Sequence, residues 1–359
     1  MSVAISPPPQ LRHTGHAPRQ SSGALFDWTI TVLGGVFLGG LFLDGWAHTH
    51  GRVDDTFFTP WHAALYSGYL ATALALVGRA AWAHARGAAW RHAIPAGYGL
   101  SLVGAGCWLV GGPFDLAWHS AFGFEAGVEA LLSPAHAVLA LGFGLMASGP
   151  LRAALRRPRG RWLEELPLVL SLTFVVANLM FFTQIAHPLS NLWAAGSAPI
   201  SNDAKELGLV SMMLTAAIDS LPVLLFLRLE RLPLGGLAIL IALQCLAVGF
   251  VYDHGPYPVA AVIGMIAAAM VVELLRAALR PGPTRPAAFR SFAFAFPALL
   301  FVGYFGALAL TVGIGWSTHL WTGTVVFAGI IGWLASYAVL PAHWAHGATT
   351  SRTAGSRSS

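Results

Sequence analysis

The chain contains two copies of one pattern of acidic and histidine residues. In each copy an aspartate lies four residues before a histidine, and a Pro-x-His sequence follows after a short polar stretch. Carboxylate oxygens and imidazole nitrogens are common ligands of divalent metal ions in proteins. The pattern therefore predicts two metal sites, each with one aspartate and two histidines: Asp44, His48 and His62 in the first, and Asp115, His119 and His136 in the second.

Each copy lies where one apolar segment ends and the next begins. Two residues that are four apart on a helix occupy one face, so each Asp-x3-His pair presents both side chains in the same direction. The last histidine of each copy comes two residues after a proline, a residue that is favoured in the first turn of a helix. We therefore expect the three side chains of each set to converge from two consecutive helices.

An alternative interpretation of both sets is a packing network in which Asp–His contacts only hold helix ends together. Charged groups at membrane depth are costly unless they are paired or bind something, and the repetition of the whole pattern favours metal ligation. Other residues near helix ends on the same predicted side of the membrane are candidates to orient the imidazoles or to add a ligand. They are His50, Asp54, Asp55, Glu125, Glu129 and His187.

Composition places these segments in a membrane. The chain is 56% hydrophobic and 10% charged, with a mean hydropathy of +0.66, whereas an average soluble domain has roughly 25% charged residues. Ten apolar segments reach the length of about 20 residues that a helix needs to cross the hydrocarbon core. The sequence predicts an all-α, polytopic membrane helix bundle with segments at about 25–46, 60–84, 93–116, 134–155, 163–186, 206–228, 232–252, 257–278, 290–314 and 319–341.

The basic residues predict the orientation of this bundle. Eighteen of the twenty Lys and Arg residues lie in the terminal tails or in the even-numbered turns and adjoining helix ends, and the exceptions are Arg52 and Lys205. By the positive-inside rule, both termini are cytoplasmic and the predicted metal sites lie toward the extracytoplasmic face of the cell membrane. We expect disordered tails at 1–22 and 345–359, and a transmembrane domain at 23–344 that comprises a double hairpin (23–157) and six further helices (158–344).

Several classes of protein are excluded at this point. The net charge of +5 follows from the membrane topology, so it does not indicate a nucleic-acid partner. The sequence contains no Gly-rich phosphate loop, nucleophile elbow, Cys-x-x-Cys or haem-attachment motif, which argues against an ATP-driven pump or an acyl-transfer enzyme. The two cysteines, Cys107 and Cys245, lie inside apolar segments and are interpreted as small core residues.

The residues of the two copies resemble a known family. The segment from Asp44 to His62 contains Asp-x3-His followed by Asp-Thr-Phe-Phe-Thr-Pro-Trp-His, and it is similar to a segment in the C subunit of particulate methane and ammonia monooxygenases, the copper membrane monooxygenases. The second copy is similar to that subunit's second ligand set, in which the family has Asn where this chain has Asp115. The resemblance covers residues 44–149.

This resemblance implies copper in both sites and an oxidoreductase that uses O2 to oxidise a small apolar substrate from the bilayer. The family works as a complex, so the resemblance also implies further membrane or extracytoplasmic subunits. The ligand chemistry alone is less selective, because two histidines and one carboxylate also suit non-haem Fe(II) and catalytic Zn. Three classes of function therefore stay open: a copper-dependent monooxygenase-like enzyme, a membrane protein that takes up, stores or delivers copper or another divalent metal, and a scaffold without metal.

Overall fold

The computed structural model describes residues 22–52, 58–123, 128–196, 200–252 and 256–341. This part of the chain contains no strand, and each of its ten long helices overlaps one of the ten predicted apolar segments. They are α1 (Ala24–Thr49), α2 (Pro60–Ala85), α3 (Gly99–Phe122), α4 (Pro134–Ala154, with a turn at Ser148), α5 (Trp162–Phe182), α6 (Asn202–Arg228), α7 (Gly236–Val251), α8 (Pro256–Leu279), α9 (Pro286–Leu310) and α10 (Thr318–Val339).

Eight of these helices are long and apolar enough to cross a membrane, and the other two are α2 and α7. Helix α7 has only 16 residues, fewer than the about 20 that span a hydrocarbon core. Helix α2 has 26 residues and packs along α1. The chain is thus a multi-pass helical membrane protein, and the number of ten spans stays a prediction.

Helix α3 begins and ends about six residues later than the sequence pattern suggested. Residues 94–98 form a turn in which Gly97 has a φ of +98°, so the helix begins only at Gly99. At its other end the helix continues through Asp115 and His119 to Phe122. Asp115 and His119, two of the three predicted ligands of the second site, are therefore inside one helix, four residues apart on one face.

Helices α1 and α2 form one antiparallel hairpin, and α3 and α4 form a second. Glycines let the two helices of each hairpin approach closely. A Cβ atom added at Gly68 of α2 would lie 2.5 Å from Phe37 Cα of α1, and one added at Gly142 of α4 would lie 2.5 Å from Trp108 Cδ1 of α3. The two glycines occupy equivalent positions, six residues after the last histidine of each ligand set.

The two hairpins also pack against each other through equivalent residues. Phe37 and Trp108 each lie seven residues before the aspartate of their set, and Tyr69 and Phe143 each lie seven residues after the last histidine. The ring centroid of Phe37 is 4.8 Å from that of Phe143, and the ring centroid of Trp108 is 5.4 Å from that of Tyr69. The centroids of Phe37 and Trp108 are 4.6 Å apart. Such reciprocal contacts are those of a two-fold related pair.

The remaining helices extend the bundle on one side. Helix α5 packs against α1, α4 and α7, while α8, α9, α10 and α6 pack in succession. Ion pairs tie the helix ends that lie opposite the two ligand sets. The buried Asp27 carboxylate accepts hydrogen bonds from Tyr98 (2.7 Å) and Arg157 (2.5 Å), and Arg231 donates to Glu165 at 2.9 Å. These contacts hold helix ends together on the side of the bundle that is opposite the two ligand sets.

Candidate metal centres

The first ligand set converges between α1 and α2. The Asp44 carboxylate lies between two imidazoles, with His48 Nε2 3.7 Å from one of its oxygens and His62 Nε2 3.6 Å from the other. Asp44 is buried, whereas the side chain of His48 is 43% exposed. One candidate ligand atom from each residue lies within 4.8 Å of the other two. The set is therefore compact, and on the His48 side it is open to the surface of the helix bundle.

The second ligand set has the same arrangement between α3 and α4. Asp115 Oδ1 lies 3.5 Å from His119 Nε2 and 3.3 Å from His136 Nε2. Asp115 is 3% exposed, and the three candidate ligand atoms again lie within 4.8 Å of one another. The Nδ1 atom of His119 lies 3.3 Å from the carbonyl oxygen of Gly123. A hydrogen bond from Nδ1–H to that carbonyl leaves the Nε2 lone pair of His119 directed at the set, as in many metal-binding histidines.

The Asp–His distances match those between the ligands of one metal ion. The four Asp–His separations of 3.3 to 3.7 Å exceed the usual N–H···O range of about 2.7–3.2 Å. A tetrahedral ion with ligands at about 2.0–2.1 Å would separate its ligand atoms by about 3.3–3.4 Å. Within the described residues, Asp44 Oδ1 and Asp115 Oδ1 are buried and accept no hydrogen bond. The donor set and the two unsatisfied oxygens therefore fit a copper, iron or zinc ion in each group.

The last histidine of each set is positioned by the N-cap of its helix. The hydroxyl of Thr59 accepts a hydrogen bond from the backbone N–H of His62 at 3.1 Å, and Ser133 does the same for His136 at 3.2 Å. Both hydroxyl residues are buried. Sequence analysis did not identify them, although a Ser or Thr directly before the proline in both copies was a visible signal. The full motif is thus Ser/Thr-Pro-x-His.

We expect Thr59→Ala and Ser133→Ala to destabilise the protein and to weaken metal binding at one site each. Loss of an N-cap costs about 1 kcal/mol of unfolding free energy, and the freed histidine backbone shifts its imidazole. Thermal unfolding in detergent and metal titration of the purified variants measure the two effects. Thr59→Ser keeps the hydroxyl and is the matched control, so equal behaviour of Thr59→Ala and Thr59→Ser would contradict this role.

Three of the additional candidate residues are among the described residues, and none of the three belongs to either group. His50 stacks on Trp46 with its Nδ1 atom 2.9 Å from the Trp46 carbonyl oxygen, and Glu129 is exposed on a short helix, Val128–Leu132.

His187 is buried in the loop after α5, where its Nδ1 accepts a hydrogen bond from the Leu189 N–H at 3.1 Å. Burial lowers the pKa of His187 to about 3, so its imidazole is neutral. Asp54, Asp55 and Glu125 lie outside the described residues.

Comparison with known proteins gives no independent assignment of this site. No family model, no curated protein and no solved structure matches the chain.

Proposed function

We propose that this protein is an integral membrane metalloprotein, a copper-dependent monooxygenase-like oxidoreductase that oxidises a small apolar substrate with O2. In this proposal all ten helices span the cell membrane, both termini are cytoplasmic, and both metal centres lie toward the extracytoplasmic face. The arginine distribution supports that orientation. Further membrane or extracytoplasmic subunits belong to the proposal because the resemblance to the monooxygenase C subunit implies them.

One observation carries the proposal: two equivalent groups of one buried aspartate and two histidines occur at equivalent places in two paired hairpins. The Asp–His separations of 3.3 to 3.7 Å are close to the spacing of ligands around one ion, and the repetition of the whole group supports metal binding over a packing network. Copper is chosen over iron and zinc from the resemblance of residues 44–149.

A bound copper ion would supply the capacity to react with O2 in one-electron steps. The residues of the chain would supply the ligands and the negative charge of each site. Each aspartate contributes one negative charge that offsets part of the charge of the ion, and the imidazoles supply neutral nitrogen ligands. Near the second set the ring centroids of Trp118 and the exposed Phe122 are 4.5 Å apart, and a small apolar substrate would reach the site from the bilayer past them. Hydroxylation of a C–H bond by O2 also consumes two electrons and two protons, which an external reductant must deliver.

Metal analysis coupled to oxygen incorporation tests the proposal. We expect about two copper ions per chain in detergent-purified protein reconstituted with copper, and one ion in each of His48→Ala and His119→Ala. With a quinol as reductant and a short alkane as substrate, the wild-type protein should form alcohol that carries 18O from 18O2. Mass spectrometry measures both the metal content and the label.

His84→Ala is the matched control, because His84 lies on α2 at the end opposite His62 and stacks on Trp90. It should keep both ions. Iron or zinc in place of copper would keep the sites but contradict the choice of metal, and a wild-type protein that takes up no metal would contradict the proposal as a whole.

Metal handling without catalysis is the second candidate function. The exposure of His48 favours it, since a ligand that is 43% exposed at the surface of the bundle lets an ion enter and leave. This function predicts stable binding of copper or another divalent ion and its transfer to a chelator, with no 18O in any product. A transporter would also need a polar path through the bundle. The buried Asp219 on α6, which accepts a hydrogen bond from Gln244 at 2.6 Å, is the deep acidic residue from which such a path would have to be built.

A further inference from the structure

Tyr66 connects the two ligand sets. It lies on α2, one helical turn after His62, and its ring centroid is 6.3 Å from that of His62. On its other side the phenol lies against the backbone of α3 at Gly112. A Cβ atom added at Gly112 would lie 3.1 Å from Tyr66 Cε1 and 3.2 Å from its hydroxyl oxygen. Gly112 is three residues before Asp115, so a single side chain contacts a ligand of the first set and the helix turn that carries the second.

A second ring contact agrees with this placement. The ring centroid of Tyr66 is also 5.7 Å from that of Trp108, which lies on α3 seven residues before Asp115. The two hairpins are therefore packed together within about two helical turns of both ligand sets.

Tyr66 also breaks the equivalence of the two hairpins. Its counterpart four residues after His136 is Ala140, which has no side chain that could reach the neighbouring hairpin. The reciprocal contacts of Phe37, Tyr69, Trp108 and Phe143 are shared by both hairpins, whereas the phenol contact is made from one hairpin only. Tyr66 therefore occurs in one copy only and lies where the two ligand sets meet, so it can affect the geometry of both sets.

We propose that the two triads form one coupled two-metal centre, in which Tyr66 is the positioning residue between them. This inference rests on the proposed metal sites and adds that they do not act independently. Each triad holds one carboxylate, so a divalent ion leaves each site with one net positive charge. Two such charges repel, and the second divalent ion should bind at least about tenfold more weakly than the first.

Cobalt(II) titration tests the coupling, because Co(II) gives visible absorption bands that respond to its ligands. The wild-type protein should bind two ions in two unequal steps, whereas His48→Ala and His119→Ala should each bind one ion as tightly as the first step. In the copper(II) form, electron paramagnetic resonance should show spin–spin broadening when both sites are filled and none in either single-site variant.

Tyr66→Phe keeps the ring and removes the hydroxyl. We expect it to retain two ions and the fold but to change the cobalt absorption bands of both sites. Tyr69→Phe is the matched control, because the Tyr69 hydroxyl bonds to the Ala105 carbonyl at 3.0 Å, one turn further from the ligands. It should leave the bands unchanged, and a purely structural role of Tyr66 would leave them unchanged as well.

The outcomes separate this inference from the proposed function. Two ions that bind with equal affinity and show no spin–spin broadening would overturn the coupling while the two sites stand. Unchanged bands in Tyr66→Phe would overturn the role of Tyr66. A wild-type protein that binds no metal would refute the proposed function, and the coupling with it.

Discussion

Asp115→Ala should remove one metal ion per chain and weaken binding at its site by more than about 100-fold. Loss of a hydrogen-bonding partner outside the coordination sphere already costs about 10–100-fold in metal affinity, and Asp115 would be a direct ligand. It is also the carboxylate that lies within 3.5 Å of both imidazoles of its set. Equilibrium metal titration of the purified variant measures the loss, and Asp44→Ala should have the same effect on the other site.

Two further variants make this result specific. Asp115→Asn keeps an oxygen ligand and loses the charge, so it should retain the ion with a weaker affinity than the wild type. Asp203→Ala removes an exposed carboxylate at the start of α6 and should keep both ions. If Asp115→Ala kept two ions, the second group would be a packing contact between α3 and α4. In that case the unfolding temperature, not the metal content, would fall.

Gly68→Ala should separate α1 from α2 and impair the first site without touching any of its ligands. The new Cβ atom would lie 2.5 Å from Phe37 Cα, a backbone atom that cannot move without its helix. Overpacking of this kind costs about 1–3 kcal/mol of unfolding free energy. His62 and Asp44 belong to the two helices that are pushed apart, so the first site should lose its ion. Thermal unfolding and metal content of the same preparation report both effects.

Helix α2 supplies its own control. Gly78 lies on the same helix, and a Cβ atom there would meet nothing within 4 Å. Gly78→Ala should therefore unfold at the wild-type temperature or slightly above it, because alanine favours the helix. Equal effects of Gly68→Ala and Gly78→Ala would show that the close approach of the two helices does not position the site.

The convergence of the two triads could be predicted because it depends on local rules. A four-residue spacing places Asp44 and His48 on one helix face, and the proline at position 60 places His62 at the start of the next helix. Apolar runs of the required length likewise predicted the ten helices. What these rules omit is the irregular backbone between the runs, such as the turn at 94–98 that delays α3.

Contacts between helices could not be predicted in the same way. Their predicted position at the same membrane face suggested His50 and His187 as additional ligands, but the backbone directs one onto Trp46 and the other into a buried loop. Tyr66 gave no signal in the sequence, because its importance comes from the packing of α2 against α3 at Gly112. That crossing depends on the tertiary arrangement of two hairpins, which a spacing rule within one hairpin does not contain.

The reciprocal aromatic contacts between the two hairpins have an evolutionary consequence. If one hairpin of this kind paired with a second copy of itself, the same four ring positions would form a symmetric homodimer with one triad in each subunit. The first four helices have the organisation expected after duplication and fusion of a gene segment that encoded one such hairpin. Fusion frees the two halves to diverge, and the difference between Tyr66 and Ala140 is a change that a homodimer of identical subunits could never have contained.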